Sequence, residues 1–334
     1  MPASPHPTLS RRALIAVVVG LPVFVAFALW AFAWPAARTA PNDLPVGVAG
    51  PPAATSQVAD ALRATDGAFD VHVYPDEDAA RDAVQDRDVY GAFVLSGDPA
   101  GGTEVLTATA GGPVVAQLLT QAAQEQAPPG TEVTVTDVVP APEGDPRGSA
   151  FTASVLPLAL AGIAGGALVT LGRLRGARAL VALAGSAVLL GGVGAVLAHS
   201  WLGVLEGPWF TVAGVLALTV AAGGATVAGI AALVGKAGIG LGALVVMLLG
   251  NPWSGAGAAP EMLPDPAATL GQFLPTGAGA TLLRSVAFFD GGGAAAPVAV
   301  LAVWTALGVG AILLGARRQA RSDLAKKTLS GVPR

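Results

Sequence analysis

Six long apolar runs without an ionisable side chain constrain this chain more than any other feature of its sequence. The runs are Ala13–Trp34, Ala150–Gly172, Ala179–Ala198, Phe210–Val234, Ala237–Gly250 and Pro297–Gly315. The hydrocarbon core of a bilayer is about 30 Å thick and a helix rises about 1.5 Å per residue, so about 20 apolar residues suffice to cross it. The pattern predicts a polytopic α-helical membrane protein with about six transmembrane helices, one followed by five.

The shortest run, Ala237–Gly250, is the least certain crossing. Its length corresponds to only about 21 Å of helix. It could lie tilted inside the bundle, or it could continue through Asn251-Pro252-Trp253. We keep it as a span, because removing it would place the basic end of the chain on the same side as the acidic segment described below.

The basic residues predict which side of the membrane each connection occupies. Lysines and arginines concentrate in cytoplasmic loops. With the N-terminus inside, the cytoplasmic pieces hold Arg11, Arg12, Arg173, Arg175, Arg178, Lys236, Arg317, Arg318, Arg321, Lys326, Lys327 and Arg334, about 12 of the 18 Lys and Arg. Asp323 is the acid that falls inside. We therefore expect a multi-pass protein of the cell membrane with both termini cytoplasmic, the tails being residues 1–12 and 317–334.

The N-terminal run reads as a membrane anchor. Ser10-Arg11-Arg12 before it resembles a twin-arginine export signal, which is the alternative reading. The run of about 22 residues is longer than the apolar part of a signal peptide, and no small-residue cleavage site follows Trp34. Under either reading the next segment begins outside the cytoplasm.

Residues 38–148 form a separate acidic domain inserted between the first and second helices. This stretch holds about 17 acids and 5 arginines. Its patterns predict strands at Leu44–Gly50, Phe69–Tyr74, Val89–Ser96, Thr103–Thr109 and Thr131–Val139, and helices at Ser56–Ala64, from Asp76 onward and at Pro113–Gln126. The order β-α-β-α-β-β-α-β predicts an extracytoplasmic α/β domain with a mixed sheet.

Catalytic, cofactor-binding and metal-binding residues are not predicted in this sequence. The acids from Asp76 to Asp88 lack the spacing of a calcium loop and suit a helix start and a solvated face. His72 alternates with Val71 and Val73, which predicts that it faces solvent. Cysteine is absent, no hydrolase or phosphate-loop motif occurs, and a net charge of -4 argues against nucleic-acid binding.

The predicted bundle contains small residues at the spacing of helix packing. Gly162 with Gly166, Gly238 with Gly242, and the run Gly223–Gly229 let helices approach closely, either within the chain or between protomers. The spans carry no group that could bind a coupling ion. If the protein moves a solute, we expect a partner to supply the energy.

Residues 251–296 form a Pro- and Gly-rich connection on the extracytoplasmic side. Its candidate functional residues, as an outer-leaflet loop, are Asn251, Pro252, Pro264, Pro275 and Arg284. The segment is apolar but too interrupted to cross a bilayer. It suits short helices that dip into the outer leaflet or lie on it, and the alternative is an ordinary interfacial loop.

The layout resembles the type-two ABC exporter permeases, in the branch related to phage infection protein (Pip-like). The stretch Ala79–Leu95 is similar to that family's helix-then-strand segment, and the block Asn251–Gly291, with Leu274-Pro275 and Arg284, is similar to the segment before its last helix. The resemblance covers nearly the whole chain. It implies a homo- or heterodimer of six-helix halves that works in the lipid bilayer with a separate cytoplasmic ATP-binding-cassette ATPase.

We therefore expect the membrane-spanning permease subunit of an ABC-type exporter. Arg173, Arg175 and Arg178 are candidate ATPase-coupling residues, although membrane topology or lipid headgroups explain them equally well. The alternative is a non-transporting cell-envelope membrane protein whose extracytoplasmic domain binds a partner or an envelope component. The short loop from Arg173 to Arg178 motivates this alternative, because it offers little surface to an ATPase.

Overall fold

The fold is mostly helical with one small sheet. A computed structural model describes residues 10–96, 102–127 and 133–330, apart from the side chains of residues 12, 13 and 323–330. Five helices in this part of the chain are long and apolar enough to cross a membrane: Leu14–Ala36, Ser149–Leu171, Ala177–Trp201, Trp209–Val234 and Ala295–Ser322. A sixth apolar helix, Ala237–Leu249, is shorter. The sequence predicted about six spans, and the shortest predicted run, Ala237–Gly250, corresponds to this shorter helix.

The first helix and the α/β domain come in the predicted order. The elements are α1 (Arg11–Ala36), β1 (Leu44–Ala49), α2 (Pro52–Arg63), β2 (Phe69–Tyr74), α3 (Glu77–Gln85), β3 (Gly91–Leu95), β4 (Thr103–Thr107), α4 (Pro113–Gln126) and β5 (Val133–Asp137). Helix α2 begins four residues before the predicted Ser56, because Pro52 suits the first turn of a helix. Residues 131 and 132 of the predicted last strand lie outside the described residues.

The sheet is mixed, with strand order β2-β1-β3-β4-β5. Strands β2, β1 and β3 are parallel, β4 runs antiparallel to β3, and β5 is parallel to β4. Helices α2 and α4 cover one face and α3 covers the other. Strand β2 lies at an edge, so Val73 is 53% exposed although the alternation predicted a shielded side. His72 is exposed, as predicted, and contacts Asp70 at 3.1 Å.

The bundle follows, and α7 is its central helix. Its elements are α5 (Ser149–Leu171), α6 (Ala177–Ala195, extended by a π-helical turn to Trp201), α7 (Trp209–Val234), α8 (Ala237–Ala243, extended by a π-helical turn to Leu249), α9 (Ala267–Gln272), α10 (Pro275–Phe288) and α11 (Ala295–Ser330). Helices α5, α6, α8, α10 and α11 pack around α7. Helix α11 extends beyond Gly315 through the predicted basic tail as far as Ser330.

The glycines predicted to pack helices lie at contacts within the chain. A Cβ atom on Gly162 would come within 3.3 Å of Gly223 Cα, and one on Gly166 would come within 2.6 Å of the Gly224 carbonyl oxygen. On α8, a Cβ atom on Gly242 would lie 2.7 Å from Val227 Cα. The contacts between α5, α7 and α8 therefore require glycine, because backbone atoms face each other directly.

Helix α8 covers only part of the bundle's length, and turns without regular helix follow it. Val246 packs against Ala159 and Val227, which lie well inside α5 and α7. Turns at residues 250–256 then lead to the start of α5, where the Ala256 carbonyl accepts a hydrogen bond from Thr152 at 3.1 Å. Helix α8 with its π-helical turn therefore ends at Leu249, and residues 250–253 form turns.

The connection 251–296 contains short helices and folds back into the bundle. Every residue of α10 except Thr281 and Phe288 is buried. At its start, Thr276 donates to the Val246 carbonyl at 2.5 Å, and Gly279 packs against Thr219 of α7. Thr219 lies about 15 Å along α7 from its first residue, at about 1.5 Å per residue. Helix α10 thus begins near the middle of α7 and runs toward the domain.

Candidate functional site

The bundle has two ends of different chemistry, which we call the turn end and the domain end. The turn end carries the short connections α5–α6 and α7–α8, next to residues 315–319 of α11. The domain end carries the start of α5 and the end of α10, against which the sheet packs. Candidate residues from the sequence fall at both ends.

A pocket of about 160 Å³ opens at the turn end, and we call it the turn-end pocket. Its walls come from α5, α6, α7 and α11, and it is lined by Val169, Thr170, Arg173, Leu174, Arg175, Ala179, Ala228, Ala231, Ala232, Gly235, Lys236, Ile312, Gly315, Ala316 and Gln319. Two of the predicted coupling residues, Arg173 and Arg175, therefore meet Lys236 there. The third, Arg178, is exposed in the first turn of α6 and does not line the pocket.

The backbone of the α5–α6 turn fixes where Arg173 lies. Helix α5 ends in a Schellman motif. The Leu174 N–H donates to the Val169 carbonyl at 3.0 Å, and the Arg173 N–H donates to the Thr170 carbonyl at 3.1 Å. Arg173 has a φ of 56°, in the left-handed region that favours glycine. An arginine at this position costs about 1 kcal/mol of backbone strain. Nothing in the sequence pattern of the turn revealed this conformation.

At the domain end, Arg87 connects the domain to α10. Its Nη1 atom donates to the Thr281 carbonyl at 3.0 Å and to Ser285 Oγ at 2.5 Å. Its guanidinium carbon also lies 5.6 Å from the centroid of the Phe289 ring, within the range of a cation–π contact. Arg87 itself has a φ of 66°, so the turn after α3 directs this side chain at the bundle.

Tyr90 makes a second link between the domain and the connection 251–296. Its hydroxyl donates to Glu261 Oε2 at 2.7 Å. Burial, and then the negative charge of Glu261, raise the pKa of Tyr90 above its usual range, because both disfavour the phenolate. The phenol therefore keeps its proton and remains a donor at physiological pH.

The predicted residue Arg284 lies buried beside these links. Its Nη2 atom donates to the Ala256 carbonyl at 2.8 Å, and its guanidinium carbon lies 4.7 Å from the centroid of the Phe151 ring. Its Nε atom has no hydrogen-bond partner among the described residues. Arg284 thus joins α10 to the start of α5 through neutral groups.

The three predicted prolines and Asn251 have structural places along the same connection. Pro275 begins α10, and the Pro264 carbonyl accepts hydrogen bonds from the first turn of α9. Asn251 and Pro252 line a largely apolar groove of about 690 Å³ between α1, α5 and residues 254–263. The consecutive residues Asn251 and Pro252 both line this groove, whereas Pro264 does not.

Trp253 holds α1 against this connection. Its Nε1 atom donates to the Ala31 carbonyl at 3.1 Å, and its ring packs edge-on against Trp30 and Trp34 at 5.9 and 6.5 Å between centroids. Of the five candidate spans, α1 is the least buried by the rest of the chain. This aromatic cluster therefore ties α1, which is otherwise exposed, to the connection 251–296.

Sequence reasoning missed Arg87, Tyr90 and Glu261 as junction residues. Arg87 and Tyr90 fall within the segment 79–95 that carries part of the family resemblance, but nothing there indicated a contact with residues about 170 to 200 positions away. A weak signal existed in Arg87 itself, one of few cations in an acidic domain. Comparison with protein-family models, curated proteins and solved structures returned no match for this chain.

Proposed function

We propose that this chain is the membrane-spanning permease subunit of an ABC-type exporter, powered by a separate cytoplasmic ATPase. In this proposal the five long helices and α8 with its following turns pass through the cell membrane. The α/β domain lies outside the cytoplasm, and the turn end and both termini lie inside. Two such chains, identical or related, form the permease.

The observation that carries the proposal is the contact between the two segments that resemble the permease family. Residues 79–95 and 251–291 are remote in sequence, yet Arg87 reaches Ser285 and Tyr90 reaches Glu261. Both faces of the sheet are also engaged, by Met262 on one side and Phe289 on the other. The two segments that carry the resemblance are thus in contact, as an architecture shared with that family would require.

The charge distribution along the bundle is in keeping with an external energy source. Helices α5, α7 and α8 contain no ionisable residue, whereas carriers driven by ion gradients use such residues inside the membrane. Cations instead collect at the turn end, where an ATPase would dock. Arg178 projects from this end outside the pocket, which makes it the best single probe of docking.

Affinity purification of the full chain from membranes tests the proposal. We expect an ABC ATPase and a differently tagged second copy to co-purify, and the reconstituted complex to hydrolyse ATP. Reversing a charge at a protein contact should weaken binding, so Arg178→Glu should lower the recovered ATPase by about tenfold or more. Arg38→Glu, an exposed change near the opposite end, is the matched control.

Two results would contradict the proposal. One is purification of the intact dimer with no ATP-binding-cassette protein and no ATP hydrolysis. The other is unchanged export of every tested solute when the chain is deleted. Together they would favour an envelope protein that does not transport.

A further inference from the structure

The turn-end pocket carries positive charge that the described residues do not balance. Arg173, Arg175 and Lys236 line it, and none of the fifteen lining residues is an acid. The described salt bridges lie elsewhere, in the α/β domain. None of these three side chains donates a hydrogen bond to a described residue, although each is a strong donor. Three exposed cations that line one cavity create a field that attracts an anion.

The chemistry of the pocket indicates what that anion can be. The pocket has a volume of about 160 Å³, which leaves room for a phosphate group. The lining donors suit phosphate, because guanidinium groups match its oxygens in fork geometry and the ammonium adds a point charge.

The surroundings of the pocket suit an amphiphilic ligand better than a free ion. Its inner wall is apolar, formed by Val169, Ala228 and Ile312. Ala228 lies six residues before the end of α7, so the pocket reaches about 9 Å into the bundle. On the outer side of α5, next to Arg173, Leu168 and Leu171 are 70% and 57% exposed. Alkyl chains leaving the pocket would find this apolar surface.

We propose that the turn-end pocket binds the phosphate of an anionic phospholipid, with Arg173, Arg175 and Lys236 as the donors. The acyl chains lie along the exposed leucines of α5. The proposal rests on the membrane insertion in the proposed function but not on the ATPase. It also separates the three predicted coupling residues, since Arg173 and Arg175 hold the lipid while Arg178 stays free for a protein contact.

Lipid retention by the purified full chain tests this site. The chain is exchanged into detergent containing phosphatidylglycerol or phosphatidylcholine, and the lipid that stays bound is counted by native mass spectrometry. Each cation near an anionic headgroup is worth roughly fivefold in affinity, so changing Arg173, Arg175 and Lys236 together to Gln should weaken phosphatidylglycerol retention by roughly a hundredfold. Changing Arg317, Arg318 and Arg321 to Gln removes the same charge outside the pocket, and should weaken retention much less than the pocket triple variant does, because these residues do not line the pocket.

Two further variants separate binding from folding. Arg173→Gly removes a donor and also relieves the left-handed backbone, so it should keep or raise Tm while lowering retention roughly fivefold. Ala316→Phe leaves every charge in place and fills the cavity, so it should also abolish retention. A loss of binding with intact Tm therefore cannot be attributed to unfolding.

Three outcomes would overturn the proposal. The pocket triple variant could retain phosphatidylglycerol as well as the control triple variant does. Inorganic phosphate alone could displace the lipid at equal concentration, which would make this a free-phosphate site. Finally, the pocket variant could keep its lipid but lose the ATPase, which would make the cations a protein contact. Because retention is measured without the ATPase, failure of the lipid site and failure of the proposed function are distinguishable.

Discussion

At the scale of single residues, the junction between domain and bundle depends on polar side chains whose partners are distant in sequence. Arg87 and Arg284 donate to backbone carbonyls and a hydroxyl, and neither has a carboxylate partner among the described residues. Tyr90 supplies the contact to an acid, Glu261. Removing a partner from a group in this setting costs more than the hydrogen bond contributes, because the remaining group keeps its desolvation penalty.

The two tyrosines give a pH test of this junction. Burial raises the pKa of both Tyr90 and Tyr74, and a neighbouring acid, Glu261 or Asp88, adds to the effect. The folded state then holds the phenolic proton more tightly than the unfolded state. The resulting stability is complete below pH about 10, the ordinary tyrosine value, and is lost as pH rises through the folded value.

We therefore expect the folded chain to show less tyrosinate absorbance at pH about 10 than two free tyrosines, each of which is half ionised there. Unfolding in denaturant at that pH should raise the tyrosinate absorbance to that of free tyrosine. Tyr90→Phe should cost about 1.5–3 kcal/mol, because it removes a hydrogen bond to a charged group and leaves Glu261 without that donor. Ordinary tyrosine titration in the folded protein would contradict the buried arrangement at Tyr90.

At the scale of elements, the bundle is built on close approaches to α7 that only glycine permits. On α11, a Cβ atom on Gly308 would come within 2.4 Å of the Ala225 carbonyl oxygen, whereas one on Gly310 would have nothing within 4 Å. The sequence indicated the packing role of several glycines through their spacing. It could not separate required glycines from tolerated ones, because the difference depends on which side of the helix faces α7.

This pair of glycines gives a matched test of helix packing. Gly308→Ala should destabilise the chain by about 1–3 kcal/mol, because the backbone of α7 must move away. Gly310→Ala should be neutral or stabilising by up to about 1 kcal/mol, since alanine is the better helix former. Thermal unfolding in detergent measures both. Equal effects would show that α11 does not approach α7 as described.

At the scale of the whole molecule, the connection 251–296 joins the domain to the bundle. It contacts both faces of the sheet, reaches the middle of α7 through Gly279, which packs against Thr219, and attaches α1 through Trp253. Trp304 of α11 also donates to the Phe273 carbonyl of this connection at 2.7 Å. A segment that the sequence presents as a broken loop is therefore the structural link between the main parts.

The absence of cysteine makes the proposed topology directly testable. Single variants Ser56→Cys, in α2 of the domain, and Ser322→Cys, near the end of α11, place one thiol at each exposed position. If α8 and the following turns complete a crossing, a membrane-impermeant maleimide should label Ser56→Cys in intact cells. Ser322→Cys should be labelled after lysis alone. Labelling of both variants in intact cells would mean that α8 does not complete a crossing.

The sequence by itself determined the features that depend on neighbouring residues. Uncharged apolar runs placed the long helices to within a few residues, except that α11 continues into the basic tail. Alternating patterns and helix-start residues such as Asp76, which accepts from Ala79 N–H at 2.9 Å, gave the element order of the domain. Both signals are local, because hydropathy and periodicity repeat along a single element.

Only the tertiary structure decided how these elements meet. It ended the fourth bundle helix at Leu249 and followed it with irregular turns, placed the start of α10 near the middle of α7, and brought Arg87 to Ser285. It also gathered Arg173, Arg175 and Lys236 around one pocket while leaving Arg178 outside. These arrangements depend on contacts between segments far apart in the chain, and no periodic pattern within one segment encodes its distant partner.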